Sequence, residues 1–185
     1  MKINSLKTAK EYKFNLSPIT SLYALYIIIS AAFMRNVLNI IKTVFPGQKF
    51  EMFMLILFIM FLLAALFIYL YRGKISLSRI IRLLLFFTAG GISGYLIFSR
   101  IKIPEERFHI LQFGLLAALV LNENSNKKGF ICAFFIIILT AALDEIFQFF
   151  LPARWGTIED IILGTTGGIW GMLLWAILFF NNCKK

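Results

Sequence analysis

The most constraining feature of this chain is a succession of apolar segments, each long enough to cross a lipid bilayer. They lie at about residues 17–35, 50–71, 79–98, 104–121, 129–151 and 158–180. At 1.5 Å per residue, helices of this length reach about 27–35 Å, which matches the thickness of the hydrocarbon core. The sequence therefore predicts an all-α protein, a polytopic transmembrane helical bundle of about six spans.

Composition excludes an ordinary soluble domain. Hydrophobic residues make up 60% of the chain and charged residues 15%, whereas the apolar share of a soluble domain is about half. The charges gather in short clusters between the apolar segments, so the net charge of +10 reflects membrane topology and not nucleic-acid binding. We expect residues 1–16 to form a cytoplasmic N-terminal segment and residues 17–181 to form a single membrane domain, whose first span acts as a retained signal anchor.

The distribution of Lys and Arg predicts which side of the membrane each loop faces. With a cytoplasmic N-terminus, 12 of the 19 basic residues lie inside, namely Lys2, Lys7, Lys10, Lys13, Arg72, Lys74, Arg79, Arg82, Lys127, Lys128, Lys184 and Lys185. We therefore expect a multi-pass protein of the cell membrane with both termini in the cytoplasm. The loops around residues 99–106 and 152–157 then face outward.

Two segments are less regular than the rest. The stretch RNVLNIIKTVFPG after the first span alternates polar and apolar faces at helical spacing, which predicts an interfacial segment that ends at Pro46-Gly47. The fourth span is the shortest and carries the only His of the chain, His109, together with Gln112. It is consequently the least apolar of the six predicted spans.

Polar side chains gather near the end of the fifth span. Asp144 and Gln148 are four residues apart and Glu145 and Gln148 three apart, so all three share a broad helical face. An unpaired carboxylate at this depth would cost on the order of 1–3 kcal/mol, so we expect this face to look into the bundle.

A second polar face lies on the fourth span. Glu105, His109 and Gln112 follow one another at i, i+4 and i+7, which places them on one side of a helix. Taken alone, His109 is an interfacial residue hydrogen-bonded to a neighbour. Its alignment with two further polar residues favours a site shared with the fifth span.

The connection LPARWGTIED joins the fifth and sixth spans. Pro152 is expected to end the fifth helix, and Thr157 with Asp160 resembles a capping pair for the sixth. Arg154 carries a guanidinium that binds carboxylates or phosphates in a bidentate manner, so an acidic neighbour or a lipid phosphate is its expected partner. Asp160 has a simpler interpretation as a complement to the helix dipole.

Small residues form a stripe along the sixth span. Two overlapping steps of four residues predict close approach to a neighbouring helix, and they are formed by Gly164, Gly167, Gly168 and Gly171. One His and scattered acids fall short of a zinc or two-metal signature, so we predict no metal and no cofactor.

The C-terminal half resembles the VanZ-like family of small polytopic membrane proteins. The resemblance covers about residues 100–180, from PEERFHILQFGLLAAL to DEIFQFFLPARWGTIEDIILGTTGGIWG. The matching positions are Arg107, His109, Glu145, Gln148, Pro152, Arg154, Asp160, Gly167 and Gly171. Three positions depart from the family pattern: Ala153 replaces a Gly, Gly164 replaces an Asn, and Gln112 replaces a Glu.

The resemblance implies a role in resistance to glycopeptide antibiotics, chiefly teicoplanin, or in cell-envelope physiology. Our leading hypothesis is a site that binds a lipid or cell-wall-precursor head group at the extracytoplasmic face. Membrane lipids, a lipid-linked cell-wall precursor or the glycopeptide itself are the partners considered. The candidate ligand-binding residues are Glu105, Arg107, His109, Gln112, Asp144, Glu145, Gln148, Arg154 and Asp160.

Three alternatives remain open. One is an enzyme acting on a lipid-linked phosphate or sugar, with His109 as acid or base, although no nucleophile motif is present. Another is a small transporter that uses Asp144 and Glu145 to couple protons, although the chain lacks inverted repeats. The third is a purely structural polar cluster, which explains Asp160 and the glycines well but His109 poorly.

Overall fold

Six helices form the described part of the chain, which in this computed structural model comprises residues 14–71, 76–101, 104–151 and 156–179, without the side chains of residues 104 and 105. The helices are α1 (Pro18–Val44), α2 (Gln48–Tyr71), α3 (Leu77–Arg100), α4 (Pro104–Glu123), α5 (Lys127–Phe149) and α6 (Ile158–Phe179). No strand occurs within these ranges. The predicted all-α helical bundle is confirmed.

Five of these helices, all except α4, are long and apolar enough to cross a membrane. α4 differs because it is the central helix, packed against α1, α2, α5 and α6. Its side chains Phe113, Leu116, Val120 and Leu121 are at most 1% exposed. Since its neighbours stand between it and the lipid, α4 does not need the apolar surface that a lipid-facing helix needs.

Helix α4 has one parallel and one antiparallel neighbour whose directions bear on the site, α6 and α1. Gly167 and Gly171 of α6 lie against Ile110 and Gly114 of α4, and because both pairs advance by four residues the two helices run parallel. α1 runs antiparallel to α4, since Ser17 at its start lies beside Glu123 at the end of α4. With 20 residues, α4 reaches about 30 Å and runs the full depth of the bundle.

α1 is one continuous helix of 27 residues, not a span followed by a separate interfacial segment. No Gly or Pro occurs between Pro18 and Pro46, so nothing in the backbone interrupts the hydrogen-bonded ladder at Arg35. The predicted stop is present, because Gly47 turns the chain with a positive φ of 59° that favours glycine. The difference matters because it brings the second half of α1 alongside α4.

The glycines of α6 allow three helices to pack closely. A Cβ added at Gly167 would lie 2.6 Å from the Cα of Ile110, and one added at Gly171 would collide with the backbone oxygen of Gly114. Gly164 faces the ring of Phe113, while Gly168 faces Ile137 of α5. The backbones of α6 and α4 are therefore in direct contact. This contact fixes the positions of the first residues of the two helices relative to each other.

A polar cluster joins the start of α1 to the C-terminal end of α4. The carboxylate of Glu123 accepts hydrogen bonds from the backbone nitrogen of Ser17 at 2.8 Å, from its hydroxyl at 2.6 Å and from the hydroxyl of Thr20. Asn124 exchanges hydrogen bonds with the backbone of Asn15 at 3.1 and 2.6 Å. Ser17 caps the α1 N-terminus by accepting from the backbone nitrogen of Thr20, and Glu123 holds this capping residue from another helix.

Candidate functional site

The core of the candidate site is a set of polar side chains buried at the end of α5. Asp144, Glu145 and Gln148 are 1%, 6% and 5% exposed. The amide nitrogen of Gln148 donates to an oxygen of Asp144 at 3.3 Å and to an oxygen of Glu145 at 3.0 Å. One amide group therefore holds both carboxylates on the same side of the helix, as their spacing in the sequence predicts.

His109 of α4 joins this set from the neighbouring helix. Its Nδ1 atom lies 3.8 Å from an oxygen of Asp144, and the two side chains form an ion pair when the imidazole is protonated. The His109 ring also stacks on Phe113, which packs against Gly164 of α6. The imidazole is thereby fixed between an apolar wall and a carboxylate.

Glu145 connects the site to the start of α6. Its second carboxylate oxygen accepts a hydrogen bond from the backbone nitrogen of Thr157 at 3.0 Å. The Thr157 hydroxyl donates to Asp160 at 2.9 Å and accepts from the backbone nitrogen of Asp160, which makes the capping pair. Gly156 permits this approach, because a Cβ there would lie 2.5 Å from the backbone oxygen of Glu145.

A small cavity of about 40 Å³ opens between α1 and α4 beside His109. Its lining comprises Ser30, Ala31, Met34, Arg35 and Leu38 from α1 together with Phe108, His109 and Gln112 from α4. Gln112 is only 5% exposed, and its amide nitrogen has no hydrogen-bond partner among the described residues. A side chain that lines the cavity therefore carries a buried donor whose hydrogen bond the described fold does not supply.

Arg107 points away from this set. It is 5% exposed and forms an ion pair with Glu51 of α2, while its Nε donates to the backbone oxygen of Ile101 at 2.8 Å. The guanidinium also lies 4.8 Å from the ring centre of Phe98. Residues two positions apart lie on opposite sides of a helix, so Arg107 joins α4 to α2 and α3 while His109 faces α1 and α5.

Several predicted members of the site lie outside the described residues. They are Pro152 and Arg154 of the connecting turn and the side chain of Glu105. The described members that the structure connects by successive contacts are His109, Asp144, Gln148, Glu145 and Asp160, the last through Thr157.

Sequence reasoning missed the contribution of α1. Arg35 and Ser30 line the cavity, yet the sequence pattern assigns Arg35 to the predicted interfacial segment after the first span. The available signal was the absence of a helix breaker between residues 19 and 45, which indicates that Arg35 continues the first span. The partner of Arg107, Glu51 of α2, was also missed, because no periodicity links two helices so far apart in the chain.

The polar groups of this arrangement can form hydrogen bonds with a ligand in a cavity that apolar helices surround. Amide, imidazole and guanidinium groups from Gln112, His109 and Arg35 offer hydrogen-bond donors to the cavity, and its described lining includes no carboxylate. No group of three or more His, Cys, Asp or Glu residues suited to a metal ion occurs in the described parts of the chain. These donor groups suit an anionic or strongly polar ligand group, which would share His109 with Asp144.

Comparison with known proteins gives one family match. Residues 103–179 match the VanZ/LLP1 family model. No curated protein and no solved structure gives a significant match to the chain. The matched part contains His109, Asp144, Glu145, Gln148 and Asp160, whereas Arg35 and the α1 wall of the cavity precede it. The similarity to the VanZ/LLP1 family thus covers α4, α5 and α6, which is less than half of the chain.

Proposed function

We propose that this VanZ-like membrane protein binds a lipid or cell-wall-precursor head group at the extracytoplasmic face, and that this binding contributes to glycopeptide resistance, chiefly toward teicoplanin, or more broadly to cell-envelope physiology. The resemblance to the VanZ-like family motivates the link to teicoplanin. The buried polar set at the end of α5 motivates a binding role. A carboxylate as buried as Asp144 is expensive within a membrane, which favours a function for it.

One observation carries the proposal: the contact of His109 with Asp144, which connects the buried carboxylates to the cavity. Asp144 is held by Gln148, and His109 lines the cavity with Gln112. A cluster with a purely structural role would be expected to satisfy its own donors. Here the Gln112 amide nitrogen lacks a partner in the described fold, which favours a ligand.

The size of the cavity limits what enters it. About 40 Å³ holds roughly three water molecules, since one water needs about 10–15 Å³ measured in this way. A single phosphate or hydroxyl-bearing group fits that space, but an entire glycopeptide antibiotic does not. We therefore favour a lipid or lipid-linked precursor over the antibiotic as the direct ligand, with the remainder of the head group at the membrane surface.

Catalysis on a lipid-linked phosphate or sugar is a weaker candidate. His109 beside Asp144 has the composition of an oriented acid–base pair. The hydroxyl that lines the same cavity, Ser30, instead donates to the backbone oxygen of Ile27 at 2.8 Å within its own helix. Because that hydroxyl is engaged away from the imidazole, the described geometry favours binding over nucleophilic chemistry.

The first test measures antibiotic tolerance in cells that produce the chain. Wild-type protein should raise the lowest teicoplanin concentration that stops growth, and His109→Ala and Glu145→Gln should return it to the level of cells without the protein. Arg154→Ala should do the same if its guanidinium contacts the ligand. Membrane levels of each variant, measured by immunoblot, should stay near wild type, because these groups act on the ligand.

Glu159→Gln is the matched control, since Glu159 is an exposed acid in the first turn of α6 at the same end of the bundle. It should keep full protection. If the site variants lose protein in the same proportion as protection, the cluster serves folding alone and the binding proposal is wrong.

The orientation has its own test. In a Cys132→Ser, Cys183→Ser background, a single cysteine is introduced by Lys102→Cys, Ala153→Cys or Lys127→Cys. A membrane-impermeant thiol reagent added to intact cells should label the first two and spare the third, because their loops belong to opposite ends of the bundle. Labelling at position 127 with protection at 153 would place the acidic turn in the cytoplasm and exclude an antibiotic-facing role.

A further inference from the structure

The cavity between α1 and α4 contains an incomplete hydrogen-bonding arrangement. The Gln112 side chain is more than nine-tenths buried and lines the cavity, and its amide nitrogen finds no acceptor among the described residues. A buried donor left unpaired costs about 1–3 kcal/mol, so a bound acceptor is the simplest way to recover that cost. The ligand group in the cavity should therefore present an oxygen acceptor.

The same cavity has a permanently charged side chain in its described lining, the guanidinium of Arg35. Arg35 lines it from α1, and the imidazole of His109 lines it from α4. The described lining includes no carboxylate, because Asp144 lies behind His109 and is held by Gln148. An anionic oxygen group in the cavity can therefore pair with the Arg35 guanidinium and accept hydrogen bonds from the described donors.

The depth of the cavity corresponds to the head-group region of one leaflet. Arg35 lies 17 residues after Pro18, which is about 26 Å along α1. The start of α1 is fastened at the opposite membrane surface by Glu123, so Arg35 approaches the far boundary of a hydrocarbon core about 30 Å thick. Lipid phosphates lie at this boundary, and a long Arg side chain reaches them readily.

We propose that Arg35 and Gln112 form an anion site that takes the phosphate of a membrane lipid head group, with Arg35 as the charge partner and Gln112 as the buried donor. This inference rests on the proposed head-group binding and names the ligand group and the residues that select it. Arg35 belongs to the part of the chain that precedes the VanZ/LLP1 match, so selectivity would come from outside the family segment.

The experiment measures which lipid stays bound to the intact protein. Purified full-length protein is reconstituted in nanodiscs of phosphatidylcholine containing a minor fraction of phosphatidylglycerol, and native mass spectrometry records the lipids retained after release. Wild type should retain phosphatidylglycerol well above its share of the nanodisc. Arg35→Gln and Gln112→Leu should each lower that enrichment about tenfold, since each removes one charge-assisted or buried contact.

Two further variants separate specific contacts from general effects of charge. Arg35→Lys keeps the charge but loses the paired donors of the guanidinium, so it should retain part of the enrichment. Arg100→Gln removes a charge at the same end of the bundle but on an exposed position of α3 away from the cavity lining, and it should bind like wild type. Unchanged enrichment in Arg35→Gln, or equal loss in Arg100→Gln, would overturn the proposal.

Two additional arms identify the source of the phosphate. In one, a polyprenyl diphosphate replaces phosphatidylglycerol; in the other, inorganic phosphate is added as a soluble competitor. Preferential retention of the diphosphate through Arg35 assigns the site to a lipid-linked precursor, and retention of phosphatidylglycerol assigns it to bulk phospholipid. Displacement of both lipids by millimolar inorganic phosphate would contradict a lipid site.

Failure of this inference is distinguishable from failure of the proposed function. If His109→Ala abolishes teicoplanin protection while Arg35→Gln changes neither protection nor lipid retention, the head-group role stands and the Arg35 site is wrong. If Arg35→Gln abolishes lipid retention while no site variant changes protection, the anion site stands and the resistance role is wrong.

Discussion

The two ends of α4 carry polar clusters of similar composition and different completeness. At one end Glu123 accepts hydrogen bonds from Ser17 and Thr20, and both of its carboxylate oxygens are used. At the other end Gln148 ties Asp144 to Glu145, yet the nearby Gln112 amide nitrogen has no partner in the described fold. Glu123 is only partly buried, whereas Asp144, Glu145 and Gln148 are buried, so the two clusters also differ in depth.

Hydrogen bonding distinguishes the two clusters, because both oxygens of Glu123 are engaged whereas the candidate site includes an unpaired donor, the Gln112 amide nitrogen. The Glu123 carboxylate binds the Ser17 N-cap of α1, and each of its two oxygens accepts a hydrogen bond. The His109 end adjoins a cavity of about 40 Å³ with a buried donor on its wall. The predictions that follow test this contrast, from the largest expected effect to the smallest.

Gly171→Leu should disrupt the packing of α6 on α4 and with it the polar clusters at both ends of α4. A side chain there collides with the backbone of Gly114, which cannot move aside as a flexible side chain can. We expect a destabilisation of about 3 kcal/mol or more and loss of the monodisperse peak in size-exclusion chromatography of detergent-solubilised protein. Gly91→Leu in α3 is the control, since nothing lies within 4 Å of a Cβ at Gly91. Equal behaviour of the two variants would show that close α4–α6 packing is not required.

Glu123→Gln should weaken the fastened end and leave ligand binding intact. Hydrogen bonds from Ser17 and Thr20 outweigh the effect of burial and hold the pKa of Glu123 below its ordinary value of 4.5. An amide keeps one acceptor but turns its NH₂ group toward these donors, so we expect a loss of about 1–2 kcal/mol in unfolding free energy at neutral pH. The measurement is denaturant unfolding in detergent, with lipid retention recorded in parallel.

The same variant has a pH signature. Because the folded pKa of Glu123 is lowered, its stabilising contribution is complete above the ordinary pKa and disappears as the pH falls through the lowered value. The stabilities of wild type and Glu123→Gln should therefore converge once the pH falls below the lowered pKa of Glu123. A difference that persists unchanged in acid would mean that the charge of Glu123 is not what fastens α1, and Glu159→Gln serves as the exposed control.

Local pattern was sufficient to predict the α5–α6 part of the site. Helical spacing placed Asp144, Glu145 and Gln148 on one face, and the interval between Thr157 and Asp160 indicated the helix cap. These relations depend on residues three or four positions apart, which the sequence displays directly. The same holds for the glycine stripe, whose spacing indicates close packing before the partner helix is known.

Relations between distant helices could not be read in the same way. Hydropathy identifies α4 as the least apolar span. It does not reveal that α4 needs less apolar surface because neighbouring helices shield it from lipid. Nothing in the sequence pairs Glu51 with Arg107, or brings Arg35 beside Gln112. Such pairs depend on the order of helices around the bundle, which periodicity within a single helix leaves undetermined.

The smallest expected effect is also the sharpest test of the contrast between the two ends of α4, because here the substitution should raise the unfolding free energy and not lower it. Gln112→Leu removes a buried donor that lacks a partner in the described fold and replaces it with an apolar group of similar size. We expect ligand-free protein in detergent to gain up to about 1 kcal/mol in unfolding free energy. Gln148→Leu, the matched substitution at an amide that bridges Asp144 and Glu145, should instead lose about 1–3 kcal/mol, since two buried carboxylates lose their shared donor.

Adding phosphatidylglycerol to the detergent should stabilise wild type more than Gln112→Leu, because only wild type offers the amide to the lipid. If Gln112→Leu proves as damaging as Gln148→Leu without lipid, the Gln112 amide is already satisfied within the protein. The two ends of α4 would then differ in no respect that calls for a ligand.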